Sequence, residues 1–229
     1  MKHPELETLR QTTTDEDQRV YWEQEHGFRR SDHPIVRYFA SQRWQMIKRH
    51  LDASEVHTAL DLGCGDGFST LYAPDDWEIV CCDASLHMLR GNTHSKKALA
   101  DACALPFADN TFDLVYTWEL LHHVETPRTA MIEMRRVSKR FVLIFEPNPY
   151  NPAQLAFSYV DKEHSWVRRN TFSHLPGLAK QAGLRIVWST IGGLIFPNKT
   201  PQWLFPLLRL LPFRLPLFGI SQVLLLEKT

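Results

Sequence analysis

The sequence predicts an α/β fold built on a doubly wound, mostly parallel sheet. Two observations carry that expectation. Seven strand-length apolar runs recur along the chain: His57–Leu62, Glu78–Cys82, Ala98–Asp101, Phe112–Trp118, Arg140–Phe145, Arg185–Ser189 and Gln222–Leu226. Several are apolar at nearly every position, as strands covered on both faces are. Helix-like stretches lie between some of them, at Ser85–Arg90, Pro127–Val137 and Phe172–Ala182. Alternation of strand and helix implies parallel pairing through crossover helices.

The elements follow in order. Residues 1–20 carry mixed charge and almost no apolar pattern, so a loose N-terminal tail is expected there. Residues 21–229 are read as one domain. Its first part, 21–51, reads as a helical cap, with apolar spacing of three to four from Ile35 onward and a break at His33–Pro34. The helix after the first strand is expected to be short, because Pro74–Asp75–Asp76 stops it. Nine of the 14 prolines fall from Pro147 onward, and two insertions, 147–170 and 194–219, read as lids or acceptor-side covers. Within the second, Trp203–Phe218 has 11 apolar residues, three prolines, two arginines and no acid. That run is too short and too broken to span a membrane.

Composition narrows the function. The 229 residues hold 26 Lys plus Arg against 26 Asp plus Glu, with 44% hydrophobic and 23% charged residues. Such a chain is neither disordered nor a disulfide scaffold. A neutral chain has no excess charge to release counterions from phosphates, so no nucleic-acid partner is expected. The four cysteines, Cys64, Cys81, Cys82 and Cys103, form no CxxC pair, and no Cys/His spacing suits zinc; no metal is expected. Reduced cysteines and a polar N-terminus point to a cytoplasmic protein.

The first strand runs into ALDLGCGDGF at 59–68. Glycines at 63, 65 and 67 permit a tight turn and close approach of a ligand to the backbone. The dinucleotide fingerprint needs a third glycine at position 68, which is Phe68. Asp61 and Asp66 flank the turn, so it favours a cationic ligand without phosphate. Asp83 ends the second strand, where a carboxylate can accept hydrogen bonds from two ribose hydroxyls; capping the next helix is its plainer role.

The pieces DLGCGDG at 61–67, CCDASLHML at 81–89, ADACALPFADNTFDLV at 100–115, WELLHHV at 118–124 and MRRVSKRFVLIFEPN at 134–148 occur in this order. Together they resemble the class I S-adenosylmethionine-dependent methyltransferases, type-11-like small-molecule branch. The resemblance covers roughly 55–190 and the last strand, and departs at Ser138–Lys139–Arg140, where the family often has Lys-Pro-Gly-Gly. It implies a Rossmann-like seven-stranded sheet, helices on both faces, with an antiparallel last strand between the fifth and sixth. It also implies S-adenosyl-L-methionine as cofactor.

The resemblance assigns roles by position. Gly63, Cys64 and Gly65 would bring backbone to the methionine and ribose parts. Asp61 would attract the ammonium, directly or through water, and Asp83 would hold the ribose hydroxyls. Ala84 and Met88 would pack on the adenine. Asp101 would accept from its amino group, with Ala102 adding a backbone contact. Trp118 and Glu119 would line the methyl end. His123 is the candidate general base, with His122, Glu146, His33, Asp161 and His164 as weaker bets.

The implied partner is a small, apolar or aromatic methyl acceptor, with 194–219 able to meet a lipophilic acceptor or a membrane surface. Oligomeric state is left open. Two rivals stand: a non-catalytic scaffold using 194–219 as an interface, and a nicotinamide-dependent oxidoreductase, which Phe68 disfavours.

Overall fold

The computed structural model describes residues 14–160, 164–216 and 218–229. Seven strands form one sheet: β1 (Thr58–Leu62), β2 (Glu78–Asp83), β3 (Lys97–Leu99), β4 (Phe112–Trp118), β5 (Ser138–Pro147), β6 (Leu184–Gly192) and β7 (Ser221–Lys228). Their spatial order is β3-β2-β1-β4-β5-β7-β6. The first five strands pair in parallel, and β7 lies antiparallel between β5 and β6. This is the expected doubly wound Rossmann-like sheet with its inverted last strand.

Seven α-helices accompany it: α1 (Asp15–Trp22), α2 (Pro34–Ile47), α3 (Leu86–Gly91), α4 (Pro127–Val137), α5 (Pro152–Val160), α6 (His174–Gln181) and α7 (Phe205–Leu208). Alternation along β1 divides the core. Leu60 and Leu62 face a cluster with Val115, Met131, Met134, Leu175 and Ala179, covered by α4 and α6. Ala59 faces the other, with Trp44, Ile47, Leu114, Tyr116 and Phe145, covered by α2. Successive strand residues point to opposite faces, so one strand feeds both layers.

Local signals account for the helix starts. In α2, Pro34 sits in the first turn and the His33 ring nitrogen Nδ1 accepts from the Ile35 N–H at 3.2 Å. After β1 the chain makes only a short 3₁₀ turn, Thr70–Tyr72, as the prolines and acids that follow require. The loose tail expected over 1–20 is corrected in part. Residues 1–13 lie outside the described residues, but 15–22 form α1. A capping box starts it: the Thr14 hydroxyl accepts from the Asp17 N–H, and the Asp17 carboxylate accepts from the Thr14 N–H at 2.8 Å.

Among the described residues no helix is long and apolar enough to cross a membrane.

Candidate active site

Parallel register sets out the cofactor end. Asp61 pairs with Cys81 on one side and Tyr116 on the other. The carboxyl ends of β1, β2 and β4 therefore fall together, where an open α/β sheet holds its ligands. A cavity of about 570 Å³ opens there, within the usual range for small-molecule sites.

The glycine turn faces this cavity. Gly63 and Gly65 have φ of +71° and +52°, the left-handed region that costs a side chain most. A Cβ on Gly65 would come within 3.1 Å of the Met88 methyl carbon, and one on Gly63 within 2.9 Å of Leu120. The N–H groups of Gly63 and Cys64 donate to the Cys82 carbonyl at 2.8 and 3.1 Å, and that of Gly65 donates to Asp83 at 2.8 Å. The turn thus spends three donors on β2 rather than aiming them at an anion. This arrangement suits a ligand without phosphates and weighs against the nicotinamide rival.

The Asp61 carboxylate is fully buried. Its Oδ2 accepts from the hydroxyls of Ser69 and Thr70, while Oδ1 has no partner. Burial pushes its carboxyl up to about 6. An orphaned buried acceptor behind the glycine turn is what an ammonium group, or a water carrying one, would satisfy. Asp83 lines the cavity, and burial raises its carboxyl as well. Its Oδ1 accepts from the Ser85 N–H at 2.8 Å. The cap of α3 is Ser85, whose hydroxyl accepts from the Met88 N–H at 3.1 Å. Asp83 is thereby left for a ligand, since a carboxylate offers about four acceptor sites.

Gly63, Cys64, Gly65, Asp83, Ala84, Met88, Asp101, Ala102, Trp118, Glu119 and His123 all line the one cavity; Asp61 lies behind it. Asp101 carries more than was foreseen. Its Oδ1 accepts from the Cys103 N–H, and its Oδ2 pairs with Arg19 of α1 at 2.9 Å. The helix is also tied down where Glu23 accepts from the N–H groups of Leu86 and His87 at 2.7 and 3.3 Å. Tyr21, Trp22 and Phe28 complete this roof over the cavity.

Just after β4, Glu119 takes φ of +59°, a strained backbone for a residue with a side chain. Two contacts hold it. Its N–H donates to the Phe145 carbonyl at 2.7 Å, and its carboxylate meets the Arg43 guanidinium at 3.0 Å. Arg43 is only 1% exposed; it stacks 3.6 Å from the Phe39 ring centre and also donates to the Ser221 hydroxyl. Sequence reasoning missed it. Its signal was a single cation within the apolar stripe of α2, four residues after Phe39.

His123 is buried in the cavity wall, its Nδ1 2.9 Å from Gln18 Oε1 and its ring edge-on to Trp22. Burial, then the neighbouring His122 and His164, holds its pKa well below the usual imidazole value. The ring is neutral, and a proton on Nδ1 leaves Nε2 able to accept one. Glu146 does not line the cavity. It is fully buried and accepts from the N–H groups of Leu121 and His122, the His122 ring and the Asn170 amide. His33 caps α2 away from the site, and Asp161 lies outside the described residues.

The acceptor side is walled by distant segments. Pro147, Ala153, Gln154, Phe157 and His164 come from one, and Phe196 to Lys199 from the other. Arg29 fastens the second wall, donating to the carbonyls of Pro197 and Thr200 at 2.8 and 2.7 Å.

Known proteins agree with this geometry. Residues 60–144 match a family model described as a methyltransferase domain. A demethylmenaquinone methyltransferase of Paenarthrobacter aurescens is 38% identical over 107 residues, covering 43% of this chain and 42% of that protein. One of Corynebacterium urealyticum is 40% identical over 109 residues, covering 46% and 47%. The chain thus matches less than half the length of these relatives. Among solved structures, a SAM-dependent methyltransferase of Archaeoglobus fulgidus superposes with a TM-score of 0.63 at 17% identity, covering 84% of this chain and 94% of that one. One of Aquifex aeolicus gives 0.60 at 14%, covering 86% and 95%. The fold is that of the class I S-adenosylmethionine-dependent methyltransferases. The family match itself spans residues 60–144, a little over a third of the chain.

Proposed function

We propose that this protein is an S-adenosylmethionine-dependent methyltransferase acting on a small, largely apolar acceptor at oxygen, carbon or nitrogen. The observation that carries it is the single cavity. Its β-strand end presents buried carboxylates and a glycine turn without free anion-binding donors, and its other end is walled by apolar side chains.

The cofactor, when bound, supplies a methyl group activated by a sulfonium. The chain's own residues do the rest. Asp61, behind the glycine turn, would draw the ammonium end directly or through a water, and Asp83 would hold the ribose hydroxyls. Met88 and Ala84 pack on the adenine. Arg43 holds Glu119 at the methyl end, so that a carboxylate faces positive charge. Trp118 and Phe157 exclude water from the acceptor. In-line displacement gains most from such alignment, and neutral His123 is placed to take a proton where the acceptor must lose one.

Two curated relatives named as demethylmenaquinone methyltransferases favour a lipophilic, quinone-like acceptor. The second cavity wall supports this too. In sequence it is followed by Trp203, Leu207, Leu210 and Phe218, all well exposed, with Arg209 and Arg214 among them. An apolar patch edged with bases suits an acceptor drawn from an anionic lipid surface. The test is transfer of a labelled methyl group to hydroxylated naphthalenes of increasing tail length. Label should move to these acceptors, better with longer tails. No transfer to any of them, with the cofactor still bound, would contradict the acceptor class.

A further inference from the structure

Three histidines meet at the acceptor end of the cavity. His122 and His123 lie on the short 3₁₀ turn after β4, and His164 comes from the segment after α5. One ligand nitrogen from each lies within 4.8 Å of the others, and all three residues line the cavity.

Two of the rings are held from behind by a hydrogen bond. The His122 side chain is 1% exposed, with its Nδ1 2.9 Å from the Glu146 carboxylate. A carboxylate accepts only, so Nδ1 donates to it and Nε2 takes no part in that bond. That Nε2 is buried and has no hydrogen-bond partner. A buried polar atom left without a partner is costly, and a cation supplies what this one lacks. Glu146 is itself fixed by two N–H groups and the Asn170 amide. His123 repeats the pattern, with Nδ1 against Gln18 Oε1. Histidines that bind metals are oriented in this way, by a carboxylate or carbonyl behind the ring.

We propose that His122, His123 and His164 form a binding site for one borderline divalent cation of the zinc type, with its fourth position open to the cavity. Imidazole nitrogens suit that class of ion. Zinc–nitrogen bonds of about 2.0–2.1 Å at tetrahedral angles place the nitrogens about 3.4 Å apart, so the rings draw together slightly on binding. The fourth position would take water or a heteroatom of the acceptor, and His123, its lone pair then on the cation, would not act as a base while the ion is bound. This last point rests on the methyltransferase reading; cation binding itself does not.

The probe is cobalt(II), titrated into chelator-stripped full-length chain and read by its visible absorption. The expected result is one cobalt per chain with the strong bands of tetrahedral coordination, displaced by zinc. His164→Ala should weaken binding at least about 100-fold, and Gln18→Ala, which removes the group behind His123, about 10-fold. Thermal unfolding identifies a variant that fails to fold, in which case Gln18→Ala decides. Absence of tetrahedral bands, or affinity unchanged in a folded variant, overturns the site. Binding of S-adenosylhomocysteine is measured in parallel: its loss with cobalt bound sinks the methyltransferase reading alone, and the reverse sinks the metal site alone.

Discussion

In the cofactor half, Asp61, Asp83 and Trp118 stand at or near the ends of neighbouring parallel strands, placed by register. The acceptor half has no such frame. Its wall is assembled from residues 147–157, His164 and 196–199 and roofed by 21–28, and its groups are joined by contacts across long stretches of chain, Arg29 to Thr200 among them. Recognition by register tolerates little change, because each carboxylate position follows from the sheet. Recognition by assembled walls can be altered loop by loop while the sheet stays the same. The family match, confined to residues 60–144, falls on the first kind of structure.

The contrast can be broken most forcefully at Arg43 and Glu119, which join the halves. Glu119→Ala leaves a buried guanidinium without its counter-charge and should cost about 3 kcal/mol. Arg43→Leu removes the buried charge itself and should cost clearly less. Denaturant midpoints of the two variants check the asymmetry; equal losses would mean that the pair is not what holds the strained Glu119 backbone.

Next in size is the glycine turn. Gly65→Val places a branched side chain at positive φ against Met88 and should weaken cofactor binding about 100-fold, roughly 2.7 kcal/mol. Loss of fold rather than of binding would show as a collapsed thermal transition.

Asp61 gives a pH dependence. Between the usual carboxylate value of about 4 and the raised value of about 6, the folded chain holds a proton that the unfolded chain has lost. Stability from this group therefore falls as pH rises through that window, and the whole penalty is present above it. A cationic ligand needs the ionised form, so cofactor affinity should run the opposite way. It should rise toward pH 7 and drop up to about tenfold per pH unit below 6. Calorimetry at several pH values reads this, and Asp61→Asn should flatten the profile.

The smallest effect is expected on the outer patch. Trp203 and Leu210 are 79% and 76% exposed, so alanine at either should change stability by no more than about 0.5 kcal/mol. Both should nonetheless raise the KM for a long-tailed acceptor presented in anionic vesicles, and leave that for a short soluble one unchanged. A stability loss of several kcal/mol would place these side chains in a packed interface instead.

These halves also differ in how far they could be read beforehand. The doubly wound, mostly parallel sheet followed from the apolar runs, the glycine turn from its motif, and the inverted last strand from the family resemblance. Asp61 and Asp83 were legible because a residue's place on a strand decides its place at the sheet's edge. Arg43, Arg19 and Gln18 were not, since each meets a partner far away in sequence. Helix α1 was missed for a local reason: a Thr-x-x-Asp capping box is short, and the charged residues after it hide a weak apolar stripe. The histidine cluster was missed because zinc spacing rules count neighbours along the chain, and His164 arrives through the loop after α5.

The central claim is that the carboxylates at the strand ends hold an adenosyl cofactor. Titration of the full chain with S-adenosylhomocysteine by calorimetry tests it directly, with Asp83→Ala alongside. The expected outcome is one site of micromolar affinity, about −8 kcal/mol, lost in the folded Asp83→Ala variant. Absence of binding to the unaltered chain, or equal affinity in the folded variant, would contradict it.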